Sequence, residues 1–268
     1  MNAYDIASLC NAFSLKEKER PICILDPKLK NRGEQRLALC RVGKILTTKL
    51  INRDAFVDVM NRIWRVDGGV EIEPIKWNIF AFYFRNTKDR KIVLNGGPWT
   101  FDRATIAFEK PTGTGDVLEM KFNLVDYWVQ IQYLPLLCMT EEIGLFLGQM
   151  IGEVRDIDLR MTTDISSLFL WVQITIPIEA PLQRSLRVDL LGSGKVTTML
   201  LRYEILLDYC FGCGRIGHIA DECSDEENLK EVPSEATRSL HVWLRATSSP
   251  KWPFMGRGIV GRMDNNNG

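Results

Sequence analysis

Three cysteines and one histidine near the C-terminal end of the chain follow the spacing C-x2-C-x4-H-x4-C: Cys210, Cys213, His218 and Cys223. Two cysteines separated by two residues can hold one ion from a single tight turn, and three thiolates with one imidazole are the donors of a tetrahedral zinc site. Three glycines between these residues allow the left-handed turns that so small a loop needs. Because four protein ligands leave no open coordination position, the pattern predicts one structural zinc ion.

The fourteen residues from Cys210 to Cys223 resemble the zinc knuckles of retroviral nucleocapsid proteins. The likeness includes the four ligands, the aromatic residue after the first cysteine and the run Gly-His-Ile-Ala. Those knuckles bind single-stranded nucleic acid, and the resemblance implies an apolar surface formed by Phe211 and Ile219, with Arg215 as a further contact. A ring stacked on an unpaired base contributes about 1–3 kcal/mol. The alternative is that Phe211 packs against the preceding domain.

Composition allows one large or two ordinary domains, because the chain has 268 residues of which 46% are hydrophobic. The sequence contains no apolar run long enough for a transmembrane helix, and its first residues lack the basic and apolar regions of a signal peptide. We therefore expect an intracellular protein of the nucleus or cytoplasm, without membrane contact and without a small-molecule substrate.

The cysteines and histidines outside the zinc pattern give little material for catalysis. Four of the seven cysteines lack the spacing of a disulfide framework, which is typical of a reducing compartment: Cys10, Cys23, Cys40 and Cys138. Of the two histidines, His218 belongs to the predicted metal site and His241 is alone. Since a nucleophile needs an adjacent base, we expect no enzymatic activity.

Charge is distributed unevenly along a chain whose formal net charge is zero. Residues 1–115 carry 20 Lys and Arg against 13 Asp and Glu, a net charge of +7, and the rest carries the opposite charge. The basic half is thus the better electrostatic partner for phosphate. Around the knuckle, residues 206–231 carry two basic residues against seven acidic ones. This acidic flank favours a second hypothesis, contact with a basic protein partner through Asp221, Glu222, Asp225, Glu226 and Glu227.

Hydrophobic patterns between residues 36 and 110 predict the element order β-α-β-β-α-β. A strand over 37–43 precedes a helix capped by Asn52; strands at 70–72 and 78–84 precede a helix over 87–94; and 105–108 form the last strand. This order is the ferredoxin-like plan shared with RNA-recognition motifs. Before it, we expect a polar segment with a short helix at 16–20 and a loop at 31–33.

The strand at 78–84 presents two faces with different predicted roles. Phe80, Phe82 and Phe84 share one face; if that face were exposed, Arg85 would point into the core, and an unpaired buried charge is costly. We therefore predict that the phenylalanines form the core. The opposite face carries Trp77 and Tyr83, the candidate stacking residues for nucleic acid. The alternative is that the following domain covers this face.

The second half of the chain predicts further α+β structure. We expect a strand over 127–133, a helix capped by Thr140, strands over 153–159 and 168–176, and a hairpin around 192–194. No flexible linker separates this unit from the knuckle, which should therefore sit at a fixed place on it. The predicted segments are a polar N-terminus (1–35), the β-α-β-β-α-β unit (36–110), a second α+β unit (116–208), the knuckle (209–224) and a largely disordered tail (225–268). Three apolar residues of this tail could dock on the body of the protein: Trp243, Trp252 and Phe254.

Several short motifs extend the resemblance beyond the knuckle, from about residue 37 to 246. In order, they are residues 96–101 (GGPWTF), 128–136 (WVQI to LPL), 151–153 (IGE), 203–204 (YE) and 243–246 (WLRA). Their sequence resembles a plant family, the domain of unknown function 4283, found with a C-terminal CCHC-type knuckle in proteins derived from LINE-type retrotransposons. The resemblance implies a gag-like protein that binds nucleic acid, favouring single-stranded RNA or DNA, without enzymatic activity. A protein-interaction module is the alternative.

Overall fold

The computed structural model describes residues 4–6, 8, 24–112, 117–159, 169–190, 192–224 and 243–246. The chain divides into two compact units, Met1–Arg36 and Leu37–Gly268. The second unit is α+β and contains two antiparallel sheets of five strands each. Within the described part of the chain, no helix has the length and apolar character needed to cross a membrane.

The first sheet has the strand order β2-β3-β1-β5-β4 and the second β7-β8-β6-β10-β9. The strands of the first sheet are β1 (Cys40–Ile45), β2 (Val70–Lys76), β3 (Ile79–Phe84), β4 (Thr100–Phe101) and β5 (Ala104–Glu109). Those of the second are β6 (Leu124–Gln132), β7 (Glu153–Asp158), β8 (Phe169–Pro177), β9 (Ser185–Val188) and β10 (Thr197–Tyr203). The α-helices whose two ends lie among the described residues are α1 (Pro27–Ala38), α2 (Arg53–Ile63), α3 (Thr87–Asn95) and α4 (Glu141–Gln149), and short 3₁₀ turns cover Val117–Glu119, Leu136–Cys138 and Ala220–Glu222.

Side-chain caps begin the helices where the sequence predicts them. The Asn52 side chain accepts a hydrogen bond of 3.1 Å from the backbone N–H of Ala55 at the start of α2. The Thr140 hydroxyl accepts one of 3.3 Å from the N–H of Ile143 at the start of α4. Each cap satisfies one of the donors that a first helical turn leaves unpaired, and both predicted helix starts are confirmed.

The predicted loop at residues 31–33 is wrong, because these residues lie inside α1. The start of this helix carries signals that the sequence analysis passed over. Asp26 accepts a hydrogen bond of 2.7 Å from the N–H of Lys28, and Pro27 takes the first helical position, where its missing N–H costs nothing. One internal glycine, Gly33, costs only about 0.5–1 kcal/mol. The helix therefore runs through to Ala38, and β1 starts at Cys40 instead of Leu37.

The aromatic face of β3 forms the first core, as predicted. Phe80, Phe82 and Phe84 are buried against α2 and its surroundings. The ring centroid of Phe56 lies 4.4 Å from that of Phe80, and the ring of Trp64 lies 5.3 Å from that of Phe82. Both pairs are tilted, and Phe56 also packs edge-to-face against Phe82 and Phe101. Aromatic contacts of this kind add to the free energy gained by burial.

The opposite face of the first sheet is covered, not exposed. Ile79 and Ala107 are buried in a second core together with residues of the other sheet, and Ala81 is buried as well. Coverage by the following domain, the alternative raised above, is therefore what the structure shows at the centre of this face. Only the ends of β3 leave candidate residues accessible: Trp77 is 65% exposed and Tyr83 is half-buried.

The second sheet is buried on both faces at its centre, since eight successive residues of β8 are buried. One face packs into the second core. The other carries an aromatic cluster of Trp128, Phe169 and Trp171. The indole N–H of Trp128 donates to the carbonyl of Asn95 at the end of α3 over 2.9 Å. The second sheet therefore contacts the first sheet through the second core on one face and the end of α3 through Trp128 on the other.

A segment of the predicted tail, residues 243–246, lies beside β10. The N–H of Tyr203 donates to the carbonyl of Leu244 over 2.7 Å, and the N–H of Ala246 donates to the carbonyl of Tyr203 over 3.0 Å. This pairing is parallel. The Leu244 side chain is only 2% exposed and belongs to the second core. The other tail residues, the predicted short helix at 16–20 and the linker residues 113–115 lie outside the described residues.

We predict that Leu244→Ala lowers the free energy of unfolding by about 2–5 kcal/mol, because it removes a buried side chain and leaves a cavity in the second core. Denaturant unfolding of the metal-loaded protein measures the change. Leu137, which is 77% exposed, provides the matched control, since Leu137→Ala should change stability by less than about 0.5 kcal/mol. Equal stability of the two variants would contradict the docking of residues 243–246.

Candidate metal centre

A tight hairpin presents the first two predicted ligands. Tyr209 and Ile216 form an antiparallel bridge, and the N–H of Cys210 donates to the carbonyl of Arg215 over 2.8 Å. Within this hairpin the N–H of Gly214 donates back to the carbonyl of Cys210 over 2.9 Å. Gly214 has a φ of 77°, a left-handed conformation that other residues adopt at a cost. The glycine is therefore required for a turn this tight.

The structure brings the four predicted ligands together. One donor atom from each of Cys210, Cys213, His218 and Cys223 lies within 4.8 Å of all the others. The Cys213 Sγ and His218 Nε2 atoms are 3.3 Å apart. Donor atoms on a tetrahedral ion with bonds of about 2.0–2.3 Å are themselves separated by about 3.3–3.8 Å. This group could therefore bind one metal ion with only small movements of its side chains.

The electrostatics of the cluster favour a bound cation. Burial, together with the neighbouring sulfur atoms of Cys210 and Cys223, raises the pKa of the Cys213 thiol to about 12, although a hydrogen bond with the backbone of Arg215 lowers it in part. Without a positive charge, three thiols this close cannot all ionise. A divalent cation reverses this preference, because it binds the thiolate and makes deprotonation favourable.

The metal-binding segment is packed against the body of the protein. Ile216 is buried in the second core. The N–H of Leu182 donates to the carbonyl of Gly214 over 2.8 Å. Gly217, with a φ of 90°, approaches both sheets, since a Cβ atom there would lie 3.7 Å from the Ile178 side chain and 3.9 Å from that of Leu46. The segment therefore sits where the ends of β1 and β8 meet.

A buried hydrogen-bond network joins this segment to both sheets. The carboxylate of Asp208 accepts a bond of 3.0 Å from the N–H of Thr105 on β5 and one of 2.7 Å from its hydroxyl. The Thr105 hydroxyl is 3.1 Å from the hydroxyl of Tyr127 on β6. Since the single hydroxyl proton of Thr105 goes to Asp208, Tyr127 is the donor in this pair. Burial raises the pKa of Asp208, and the bonds from Thr105 lower it in part.

The sequence analysis missed this role for Asp208 and counted the residue in the acidic flank. It is buried, so it adds nothing to the charge of the surface. An aspartate two residues before a cysteine gives no local signal of burial, because its partner Thr105 lies 103 residues away. Among the other cysteines, Cys40 and Cys138 are buried, whereas Cys10 and Cys23 lie outside the described residues.

The predicted nucleic-acid contacts occupy different environments. Ile219 is 46% exposed. Phe211 and Arg215 are half-buried, and the Phe211 ring packs edge-on against Tyr209 with centroids 5.5 Å apart. Phe211 also packs against the second core, so the packing against the preceding domain that was its alternative role is present. Whether any of these residues touches nucleic acid stays a prediction.

Trp77 and Tyr83 do not share one continuous surface. They stand at opposite ends of β3, separated by six residues or about 20 Å of extended chain. Between them Ile79 and Ala81 are buried. Trp77 occupies the turn between β2 and β3 with a φ of 53°, an uncommon conformation for so bulky a residue. Of the two predicted stacking residues, Trp77 is thus the more accessible.

Comparison with known proteins finds a similarity over the residues of the first sheet. Residues 33–111 match the family described as "Domain of unknown function (DUF4283)". The chain is also similar to "Uncharacterized protein At4g02000" of Arabidopsis thaliana, with 24% identity over 140 residues. That alignment covers 51% of this chain and 43% of the relative, so the chain spans less than half of the length of the curated protein that it matches. The family match includes β1 to β5 and ends before the second sheet and the metal-binding cluster.

We predict that removing the metal destabilises the entire unit Leu37–Gly268 and not the metal-binding segment alone. The reason is that Ile216 belongs to the second core and Asp208 bonds to Thr105. Thermal unfolding followed by near-ultraviolet circular dichroism should show one transition that shifts to lower temperature when a chelator is added. Cys223→Ala provides the control, since it removes a ligand and should make the protein insensitive to the chelator. A structural change that the chelator confines to residues 210–223, with an unchanged unfolding temperature, would contradict this expectation.

Two substitutions at Asp208 test the buried network. Asp208→Ala leaves the N–H and hydroxyl of Thr105 without their acceptor and should cost about 1–3 kcal/mol of stability. Asp208→Asn keeps an oxygen acceptor and removes the charge, and because burial raises the pKa of Asp208, the loss of charge should cost less than the loss of the acceptor. Denaturant unfolding with saturating metal compares the two. An asparagine variant as unstable as the alanine variant would rule out the oxygen acceptor as the main contribution.

Proposed function

We propose that this protein is a non-enzymatic, zinc-dependent nucleic-acid-binding protein of retrotransposon origin that favours single-stranded RNA or DNA and acts inside the cell. The observation that carries the proposal is the cluster of Cys210, Cys213, His218 and Cys223, with the exposed Ile219 beside it. Its ligand spacing resembles that of the knuckles of nucleocapsid proteins. The family match to residues 33–111 supports the transposon origin, because this family is the one that the sequence motifs resemble.

Zinc is the metal that this donor set favours. Three thiolates with one imidazole form a CCHC-type site, for which zinc is the usual ion. All four ligands come from the protein, so the ion would hold the knuckle in shape and would have no position for an activated water molecule. Its contribution to binding would be indirect, through the position of Phe211 and Ile219.

For the first sheet we propose a ferredoxin-like arrangement related to RNA-recognition motifs. Apart from the short β4, its strand order is β2-β3-β1-β5, with α2 after β1 and α3 after β3, as that plan requires. In RNA-recognition motifs, the sheet face opposite the helices stacks bases. Here that face is buried at Ile79 and Ala107. Nucleic acid would therefore contact the edge of the sheet near Trp77 instead.

The loop between β1 and α2 connects the Trp77 turn to the knuckle. The amide of Asn78 donates to the carbonyls of Thr47 and Lys49 over 3.2 and 2.8 Å and so fixes the loop beside Trp77. Leu46, the first residue of this loop, lies next to Gly217 of the knuckle. The exposed indole of Trp77 thus lies beside a loop that carries the exposed Leu50, and the first residue of this loop lies next to Gly217, two residues before the exposed Ile219.

Lysines near this loop supply charge for phosphate contacts: Lys44, Lys49 and Lys76. In the described part of the chain, none of them takes part in an ion pair. Unpaired lysines can neutralise phosphates and release counterions, which makes binding depend on salt. This agrees with the excess of positive charge in the first half of the sequence.

We predict that Trp77→Ala weakens the binding of labelled single-stranded RNA or DNA by about 5- to 150-fold, the equivalent of one stacked base. Titrations at two salt concentrations measure the affinity. The matched control is Tyr133→Ala, an aromatic residue that is 61% exposed at the end of β6 away from the knuckle, and it should leave the affinity unchanged. If neither variant changes a measurable affinity, Trp77 has no role in stacking; if the parent protein does not bind at all, the proposed function is wrong.

One observation favours the second candidate function, a protein-interaction module. Asp221 and Glu222 are exposed next to Ile219, which would suit a basic protein partner. The other acidic residues of the flank, Asp225, Glu226 and Glu227, lie outside the described residues. Partners that remain bound after nuclease treatment would favour this function, whereas partners lost on that treatment would favour nucleic acid.

A further inference from the structure

Two arginine side chains lie together at the end of the first sheet that is remote from the knuckle. Arg41 is the second residue of β1, and Arg90 lies in α3. The guanidinium of Arg41 donates to the carbonyl of Cys40 over 2.7 Å, and that of Arg90 donates to the carbonyl of Ala38, two residues earlier in the chain. Burial lowers the pKa of Arg41, and the nearby charge of Arg90 lowers it as well.

No carboxylate among the described residues balances this pair. Neither arginine takes part in an ion pair with them. The one acidic residue of α3, Asp89, is buried and accepts hydrogen bonds from the N–H of Gly68 over 2.9 Å and from the Asn86 amide over 2.7 Å. Asp89 is therefore committed to the start of its own helix.

A purely structural role does not require this arrangement. The bonds to the carbonyls of Ala38 and Cys40 fix the start of β1, but a neutral donor would fix it equally well. Two half-buried cations side by side repel each other and lose hydration. Each guanidinium has five N–H donors, and its bond to a backbone carbonyl uses one of them. The remaining donors can form the forked, charge-assisted bonds with which arginine binds phosphate.

We propose that Arg41 and Arg90 form a binding site for a phosphate group, and that this group belongs to the backbone of the nucleic acid bound at the knuckle. The proposal rests on the proposed function. Arg41 and Leu46, which touches the knuckle, are five residues apart, or about 17 Å along the strand. A single strand bound at both places would bind more tightly than at one place alone, although the contacts at each place stay the same.

The test compares the double variant Arg41→Gln/Arg90→Gln with Arg187→Gln in the full-length, metal-loaded protein. Glutamine keeps an N–H donor for the carbonyls and removes the charge. Arg187 is exposed on β9 in the other sheet, so its variant removes a charge outside the site. For a single-stranded oligonucleotide, the double variant should lower the slope of log affinity against log salt by about 0.7 for one lost phosphate contact, beyond any change in the Arg187 variant.

Inorganic phosphate provides a readout that does not depend on nucleic-acid binding. In the parent protein it should shift the side-chain N–H resonances of Arg41 and Arg90 in a saturable way. Saturable shifts in a protein that binds no oligonucleotide would support the phosphate site and reject the proposed function. Shifts without any change of the salt slope in the double variant would overturn the assignment to the nucleic-acid backbone, and the absence of shifts would overturn the site. If the double variant does not fold, the single variant Arg90→Gln takes its place in the same comparison.

Discussion

The hydrogen bonds among Asp208, Thr105 and Tyr127 connect parts of the chain that are otherwise far apart in sequence. Thr105 belongs to the first sheet, Tyr127 to the second, and Asp208 to the segment that enters the metal centre. A buried polar group without a partner costs more than a hydrogen bond gains. The network is therefore satisfied only when both sheets and the metal-binding segment are in their native positions, which makes the assembly of the three parts mutually dependent.

This dependence explains how so short a metal-binding segment acquires a defined place. Fourteen residues cannot bury a core of their own. Here Ile216 enters a core that the second sheet already provides, and Gly214 and Gly217 let the backbone approach Pro181, Ile178 and Leu46 closely. The same packing half-buries Phe211, so the likeness to isolated knuckles describes the ligands better than it describes the surface around them.

Local signals were sufficient for much of the fold. Asn52 and Thr140 each bond to a backbone group three residues away, and the alternation of Phe80, Phe82 and Phe84 depends only on the geometry of a strand. The four metal ligands were predictable because their spacing is itself the signal. Other features depend on distant partners: the coverage of Ile79 by the second sheet and the burial of Asp208 against Thr105 left no mark in the nearby sequence. The loop predicted at residues 31–33 failed for another reason, because one glycine was given more weight than the capping Asp26 and Pro27.

The parallel pairing of residues 243–246 with the end of β10 places the metal centre between two segments that bond to each other. Because the chain leaves the second sheet at Tyr203 and bonds again to Tyr203 through Leu244 and Ala246, the knuckle lies between β10 and a segment that returns to the end of β10. It is not a terminal appendage. A shortened protein that stops just after Cys223 would keep every metal ligand and yet lose the segment that bonds to the end of β10 and places Leu244 in the second core. The metal centre and the fold that supports it are therefore inseparable by truncation.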